Sequence, residues 1–425
     1  MHDVAVIGGG ISGLLSALAL SKEGKKVILF EKGELGNVVR SYEVEGDSGT
    51  YRVDTGPHII TRLKRGPLKA LMDRYFDVRL EFIPHGEYYI RQNGYYLKFP
   101  WAMRDWLRYE PVPLRDRIAV MKALLSALAF KDKNVSVGEF LKKYELSENT
   151  LKLANTLCYF LSGVGMFHVP IQRFVDSQSY KDSSTSQFFL DRMISIFARG
   201  VRDQCYPKGG IQSITNSILE SFSGVVRREE VLEIAEDARW VRTDSKEYPC
   251  NFVVYSGLSR ELSRYVSLPK EYRESVRNLK RVKSLTIWLG TKDRLFEKRG
   301  SEIWIDTPLS TWVVPTSLYD ENLAPVGCQL AGFLFACGGN VERVKMRALE
   351  TIYQVFPDVD VDMLCFQVLH PDKASYSLQN FPGTKTPIEN LYLVGTDAVK
   401  RSMGITRASY SVLNLIKVLK EDKKI

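Results

Sequence analysis

The sequence is poor in the residues that hold small secreted or metal-built proteins together. Its 425 residues contain six cysteines, Cys158, Cys205, Cys250, Cys328, Cys337 and Cys365, and no Cys-x-x-Cys pair. Most sit in apolar surroundings, which argues against a disulfide framework or a zinc site and predicts buried thiols in a reducing compartment. Histidine is equally scarce at five residues, and no His-Glu-x-x-His occurs. Long apolar runs are missing as well. The longest, Ile118 to Phe130, is interrupted by Lys122, whereas a membrane span needs about 18 uninterrupted apolar residues. The run Val4 to Ile7 is short, has no basic flank and enters a glycine cluster, unlike a secretion signal. These absences predict a cytoplasmic location, with peripheral membrane contact allowed.

What remains is ordinary in bulk. Apolar residues make up 44% and charged residues 26%, which excludes a disordered or low-complexity chain. The formal charge of +9 suits an anionic ligand, an anionic membrane surface or nucleic acid and does not choose among them; the expected partner is a small molecule, with no nucleic acid. There is no internal repeat and no linker.

Order along the chain is more informative than composition. Asp3 to Ile7 reads as a short buried parallel strand, Gly8 to Gly13 as a turn, and Leu14 to Leu20 as a helix ending near Gly24. Val27 to Phe30 is a second buried strand, so one β-α-β unit is complete by Glu31. Residues 42–60 suggest a hairpin around Gly46-Asp47-Ser48-Gly49. Residues 61–205 read as mostly helical, with an aromatic-rich stretch from Tyr88 to Tyr109. A helix is expected from Ile211 to Ser221, strands at Val225 to Ile234, Trp240 to Thr243 and Asn251 to Ser256, and charged helix over 260–281. Strands of a second sheet are expected at 284–290, 302–306, 311–314 and 328–336, and a helix at Val341 to Val355. A last buried strand, Leu391 to Val394, precedes a helix from about Gly404 to Leu419.

The chemistry starts at Gly8-x-Gly10-x-x-Gly13. A glycine pattern alone is weak evidence, but this one lies between strand and helix, and Glu31 ends the second strand 18 residues after Gly13. Gly8 permits the tight turn, Gly10 lets a pyrophosphate approach the backbone, and Gly13 lets helix and strand pack closely. The helix start at Ile11 and Ser12 offers N–H groups to phosphate. Glu31 can accept hydrogen bonds from a ribose diol, which favours FAD or NAD over NADP.

The segment Asp3 to Leu14 together with Val27 to Glu31 resembles the opening of the FAD-dependent amine oxidase superfamily, which includes phytoene desaturases and protoporphyrinogen oxidases. Val53-Asp54-Thr55-Gly56-Pro57-His58, Tyr206-Pro207-Lys208-Gly209-Gly210, and Asn390 to Gly395 with Gly404-Ile405 fit the same resemblance. It spans residues 3–60, 206–256 and 390–416. Two departures stand out. The family's Gly-Gly-Arg is replaced by Gly36-Asn37-Val38-Val39-Arg40, and Thr396 separates Gly395 from Asp397.

The resemblance implies an α/β fold: a Rossmann-like FAD-binding domain, a doubly wound parallel sheet with a β-hairpin lobe, interleaved with a sheet-plus-helices substrate domain. The expected division is 1–85, 206–260 and 376–425 for FAD, and 86–205 and 261–375 for substrate. Cofactor contacts are expected from Gly8, Gly10, Ile11, Ser12, Gly13, Glu31, Lys32, Arg40, Gly56, Val231, Gly395, Asp397, Gly404 and Ile405, with Val231 meeting adenine through its backbone. His58 is the candidate acid/base. No cysteine or histidine lies between Gly395 and Gly404, so FAD is expected to bind non-covalently. The implied reaction is hydride transfer to flavin from a lipophilic substrate, a polyprenoid or a porphyrinogen. An amine, or a flavin-free prenyl-lipid escort role, are the alternatives. The aromatic stretch suggests a lipophilic cavity or a membrane interface.

Overall fold

A computed structural model describes residues 2–56, 58–129, 134–173, 203–369, 373–375 and 377–425. Pro57, the end of the run at Phe130, and part of the helical expectation over 61–205 lie outside the described residues.

The glycine-turn unit builds a five-stranded sheet. Its strand order is Val225–Arg227, Val27–Phe30, Val4–Ile7, Phe252–Tyr255 and Leu391–Leu393, and every pairing is parallel. Strands from three distant parts of the chain are thus neighbours. They are short and apolar because both faces are covered. Val4, Val6, Leu29 and Val254 face one core with the helices Ile11–Lys22 and Gly404–Glu421. Ala5, Ile7, Ile28, Phe30, Val253 and Tyr255 face the other. Over the second face lies an antiparallel meander, Glu233–Ile234, Trp240–Arg242 and Glu247–Pro249. The single strand expected from Val225 to Ile234 is therefore two, Val225–Arg227 in the parallel sheet and Glu233–Ile234 in the meander.

The second sheet has seven strands, in the order Val361–Val368, Ser284–Thr291, Gln329–Ala336, Thr311–Val314, Gly300–Trp304, Glu87–Gln92 and Tyr95–Lys98. All pairings are antiparallel except that of Gly300–Trp304 with Glu87–Gln92. The helix Val341–Val355 packs on it through Ala348 and Ile352. The expected hairpin is the antiparallel pair Ser41–Gly46 and Gly49–Asp54.

The helical reading of residues 61–205 is corrected at its aromatic start. Residues 87–98 are a hairpin whose turn is Asn93-Gly94, both left-handed at φ 53° and 79°. Asn-Gly is the pair that a tight twisted hairpin turn selects. Tyr88 and Ile90 alternate inward with Tyr89 and Arg91 between them, a period of two. The helices described in this part are Pro67–Tyr75 before the hairpin and, after it, Met103–Leu107, Leu114–Ala129, Val137–Leu141 and Glu148–Ser162. The charged stretch 260–281 is a 3₁₀ turn, Ser259–Arg264, and a helix, Lys270–Arg277, with a short strand at Arg281–Val282. The edge strand Val361–Val368 was not expected. Asp360 before it and Asp362 within it hide it from a reading based on apolar runs, yet Asp362 is 5% exposed and accepts from Ser48 and Tyr51 of the hairpin. All six cysteines are free. Among the described residues no helix is long and apolar enough to cross a membrane.

Candidate functional site

The glycine turn joins the first strand to the helix Ile11–Lys22, and its glycines have different reasons to be glycine. Gly8 holds φ 100°, which a side chain resists. A Cβ on Gly13 would lie 1.9 Å from the Gly8 carbonyl oxygen, so helix and strand touch there. A Cβ on Gly10 would meet nothing nearer than Asn37 Cβ at 3.8 Å. Gly10 therefore fronts open space. The helix has no side-chain cap and no acid in its first turn, so the N–H groups around Ile11 and Ser12 are offered to an anion.

Glu31 stands at the end of the second strand. Its carboxylate accepts from Gly9 N–H at 2.5 Å and Gly33 N–H at 2.7 Å. These two bonds fix the acid beside the turn. Val231 is 3% exposed and packs with Ile28 and Phe30 of the strand that carries Glu31. The Val231 backbone makes no hydrogen bond among the described residues, which leaves it open to an edge-on partner. Gly36 closes the turn from the other side, its N–H donating to the Gly9 carbonyl at 2.8 Å. Arg40 follows, half-buried, and its guanidinium makes no hydrogen bond or ion pair among the described residues.

The C-terminal segment meets this turn. The Cβ position of Gly395 is 3.6 Å from Ser12 Oγ, and Gly395 N–H donates to Ser411 Oγ at 2.9 Å. From there the chain loops to the helix Gly404–Glu421, whose first turn carries no capping side chain. Ser402, Met403, Gly404, Ile405 and Thr406 form part of the wall of a cavity of about 620 Å3. Gly56 and His58 line it as well, and His58 Nε2 lies 2.9 Å from the Thr55 carbonyl. The carbonyl can only accept, so Nε2 carries the proton. The rest of the wall is mainly apolar. Tyr88, Phe99, Trp101 and Trp106 come from the aromatic stretch, Leu153, Leu157 and Phe160 from the helix Glu148–Ser162, and Ile303, Trp312 and Phe335 from the second sheet. Tyr88, Trp101 and Phe160 meet edge to face at 5.3 and 5.7 Å, a geometry that adds to simple burial.

Two expected cofactor residues are placed otherwise. The Asp397 side chain is 3% exposed and does not line the cavity. Its carboxylate accepts from Ser259 N–H and Oγ and from both terminal nitrogens of Arg281. Thr396 stands between the glycine and this acid, which ties the end of the strand Leu391–Leu393 to Ser259 and to the Arg281 segment. Lys32 is at the surface, paired with Glu230 at 2.8 Å. That bond comes first among the causes that raise its pKa.

Two residues that sequence reasoning passed over hold the site together. Asp54, 1% exposed, accepts from Ser41 Oγ, Tyr206 Oη and Ile211 N–H. Burial raises its pKa, and these three bonds pull the other way. It joins the hairpin to the Tyr206–Gly210 segment. Arg407, 1% exposed, donates from Nε to the Ser402 carbonyl and from Nη1 to that of Thr396. It spans the loop before Gly404, where Ser402 is left-handed at φ 59°. The signal for Arg407 was a lone arginine inside an otherwise small and apolar helix face.

Comparison with known proteins agrees with this geometry. Residues 6–75 match the NAD(P)-binding Rossmann-like domain family. An uncharacterized protein from the nifH2 3′ region of Methanothermococcus thermolithotrophicus is 43% identical over 104 residues, 24% of this chain and 97% of that protein. The (S)-6-hydroxynicotine oxidase of Paenarthrobacter nicotinovorans is 43% identical over 76 residues, 18% of each chain. The crystal structure of an oxidoreductase from Methanosarcina mazei superposes with a TM-score of 0.82 at 20% identity, covering 98% of this chain and 100% of that one. The chain thus carries an NAD(P)-binding Rossmann-like domain, and its fold is the one seen in flavin-enzyme structures such as a putrescine oxidase.

Proposed function

We propose that the protein binds one FAD non-covalently and oxidises a lipophilic substrate held in the 620 Å3 cavity. One observation carries this reading. Gly395 abuts the dinucleotide turn at Ser12, and the helix that follows it opens into an apolar cavity. A single extended ligand can therefore have its phosphates at the glycines and its redox-active end at the cavity. The residues present fit FAD: open space at Gly10, an unpaired Arg40, and uncapped helix starts at Ile11 and Gly404.

In this reading Glu31 takes the adenosine ribose, oriented by Gly9 and Gly33. Val231 meets the adenine through its backbone, and Arg40 meets phosphate. Gly8, Gly13 and Gly36 shape the turn, and Gly56 lets the chain pass the ring system. Asp397 and Lys32 act as braces rather than ligands. Bound FAD supplies a hydride acceptor. The chain supplies the rest: the N–H groups at Gly404, Ile405 and Thr406 favour negative charge at the ring, and the apolar wall excludes water. His58, with Nε2 donating to the Thr55 carbonyl, is the candidate acid/base in the cavity wall. Residues 1–85, 206–260 and 376–425 serve as the cofactor part, and 86–205 with 261–375 as the substrate part. The non-covalent reading rests on the segment Gly395 to Gly404, which contains neither cysteine nor histidine.

The polyprenoid or porphyrinogen class is favoured over an amine because aromatic and aliphatic side chains dominate the wall. Acid precipitation of purified protein should release the flavin into the supernatant; yellow colour left in the pellet would show covalent attachment. Anaerobic bleaching of the flavin by a polyprenoid or a porphyrinogen, and not by simple amines, supports the substrate class. Bleaching by amines alone overturns it.

A further inference from the structure

The helix Leu114–Ala129 has two apolar faces. Val120, Ala123 and Leu124 point inward and line the cavity. Leu114, Ile118 and Leu125 point outward and are 57%, 43% and 38% exposed. At about 100° per residue these three fall within roughly 40° of one another. They form a stripe, not scattered contacts, and Leu107 of the preceding short helix is 44% exposed as well. A helix on the surface of a protein surrounded by water carries its polar residues on the outward face. Here the outward face is apolar, and a contiguous exposed apolar patch marks an interaction site.

The charges around the stripe name the partner. Arg115, Arg117 and Lys122 flank it on the same helix. The helix's one acid, Asp116, is 3% exposed and is turned inward, accepting from Ser147 and Thr150. Nearby, Arg115 pairs with Glu145, Arg104 pairs with Asp105, and Glu110 is exposed. Lys122 and Arg108 make no hydrogen bond or ion pair among the described residues. An apolar stripe edged by cations fits an anionic lipid surface, where leucines enter the acyl boundary and the basic side chains meet headgroups. Trp101 and Trp106 line the same cavity as this helix, and tryptophan favours the membrane interface.

We propose that the outward stripe of helix Leu114–Ala129 seats the protein on an anionic bilayer, so that lipophilic substrate passes from the membrane beside this helix into the cavity. The proposal rests on the reading of the cavity as the substrate site. The helix is then the wall between the bilayer and the reaction chamber.

The test is co-sedimentation of the purified, flavin-loaded protein with phosphatidylglycerol vesicles and with phosphatidylcholine vesicles, at low and high salt. Salt-sensitive binding to the phosphatidylglycerol vesicles is expected. Ile118→Asp should reduce it at least about tenfold, and so should the double variant Arg108→Glu, Lys122→Glu. All these side chains face water, so the variants should keep their flavin and melting temperature. Absence of binding to both vesicle types overturns the proposal. So does binding that these variants leave unchanged, or a dimer in light scattering that Ile118→Asp converts to monomer, which would assign the face to a second copy. Flavin content is read separately by acid release. Loss of vesicle binding with flavin retained therefore counts against the docking helix and not against the cofactor reading.

Discussion

The two sheets of this protein are built under different constraints. The five-stranded sheet is parallel, short-stranded and buried on both faces, and its connections bring backbone to within contact distance of backbone. The seven-stranded sheet is mostly antiparallel, has longer strands, and carries on one side a cavity assembled from several separate segments. In the first, residue identity is dictated point by point. Gly13 has no room for a Cβ, and Glu31 is fixed by two N–H groups. In the second, the requirement is collective: the wall must be large and apolar, and many residues satisfy it. A site for a fixed ligand needs particular atoms, whereas a site for an apolar molecule needs volume and dryness.

The sharpest way to break the comparison is inside the glycine turn itself. Gly13→Val places its side chain onto the Gly8 carbonyl, so the fold should fail, with a loss of more than about 4 kcal/mol. Thermal unfolding of the apoprotein measures it; a normal melting temperature would show that helix and strand can separate there. Gly10→Val should behave in the opposite way. Its Cβ meets open space, so the apoprotein should melt within about 1 kcal/mol of wild type, while FAD affinity should fall at least a hundredfold, about 2.7 kcal/mol. Titration of the apoprotein with FAD distinguishes the two. A variant that both folds and binds would remove Gly10 from the ligand path.

Glu31→Ala should cost about 1.5–3 kcal/mol of FAD affinity, the range for hydrogen bonds to a charged group. Its effect on the fold should be smaller, because Gly9 and Gly33 can turn to water. Unchanged affinity would show that the acid only shapes the turn.

The smallest effect belongs to the second sheet. Burial lowers the pKa of His85 from 6.5 to about 4, while its ring stacks on Tyr88 at 4.3 Å and its Nε2 lies 2.7 Å from Ser301 Oγ. The folded state holds His85 neutral, and the unfolded chain binds a proton below pH 6.5. Stability should therefore be complete above pH 6.5 and should fall as the pH drops below it toward the folded value near 4, by about 2 kcal/mol once the pH is about 5. Urea unfolding of His85→Gln across that window should lack this component. An unchanged slope would assign it to other groups.

Legibility followed the same division. The strand–turn–helix unit, Glu31 and the C-terminal strand could be read because close approach leaves only glycine or a short acid as a solution. The helix Val341–Val355 was readable to its ends because it carries a clean apolar face over Asn340, whose side chain accepts from Arg343 N–H as a cap. The hairpin at Asn93-Gly94 was hidden inside an aromatic stretch whose period was taken as helical. Asp397 kept its place in the pattern but not its contacts, since one inserted residue redirected its carboxylate to Arg281.

By itself the sequence determined the dinucleotide-binding unit, the superfamily it resembles and the presence of apolar and aromatic material between the cofactor segments. Steric contact between neighbouring backbone segments is a local constraint, and it leaves its mark in which residues are allowed. Tertiary structure alone decided that Gly395 meets Ser12, that Arg407 spans the loop before Gly404, and that one helix turns one apolar face to a cavity and another to the outside. These depend on which distant segments are brought together, and no residue type records that on its own.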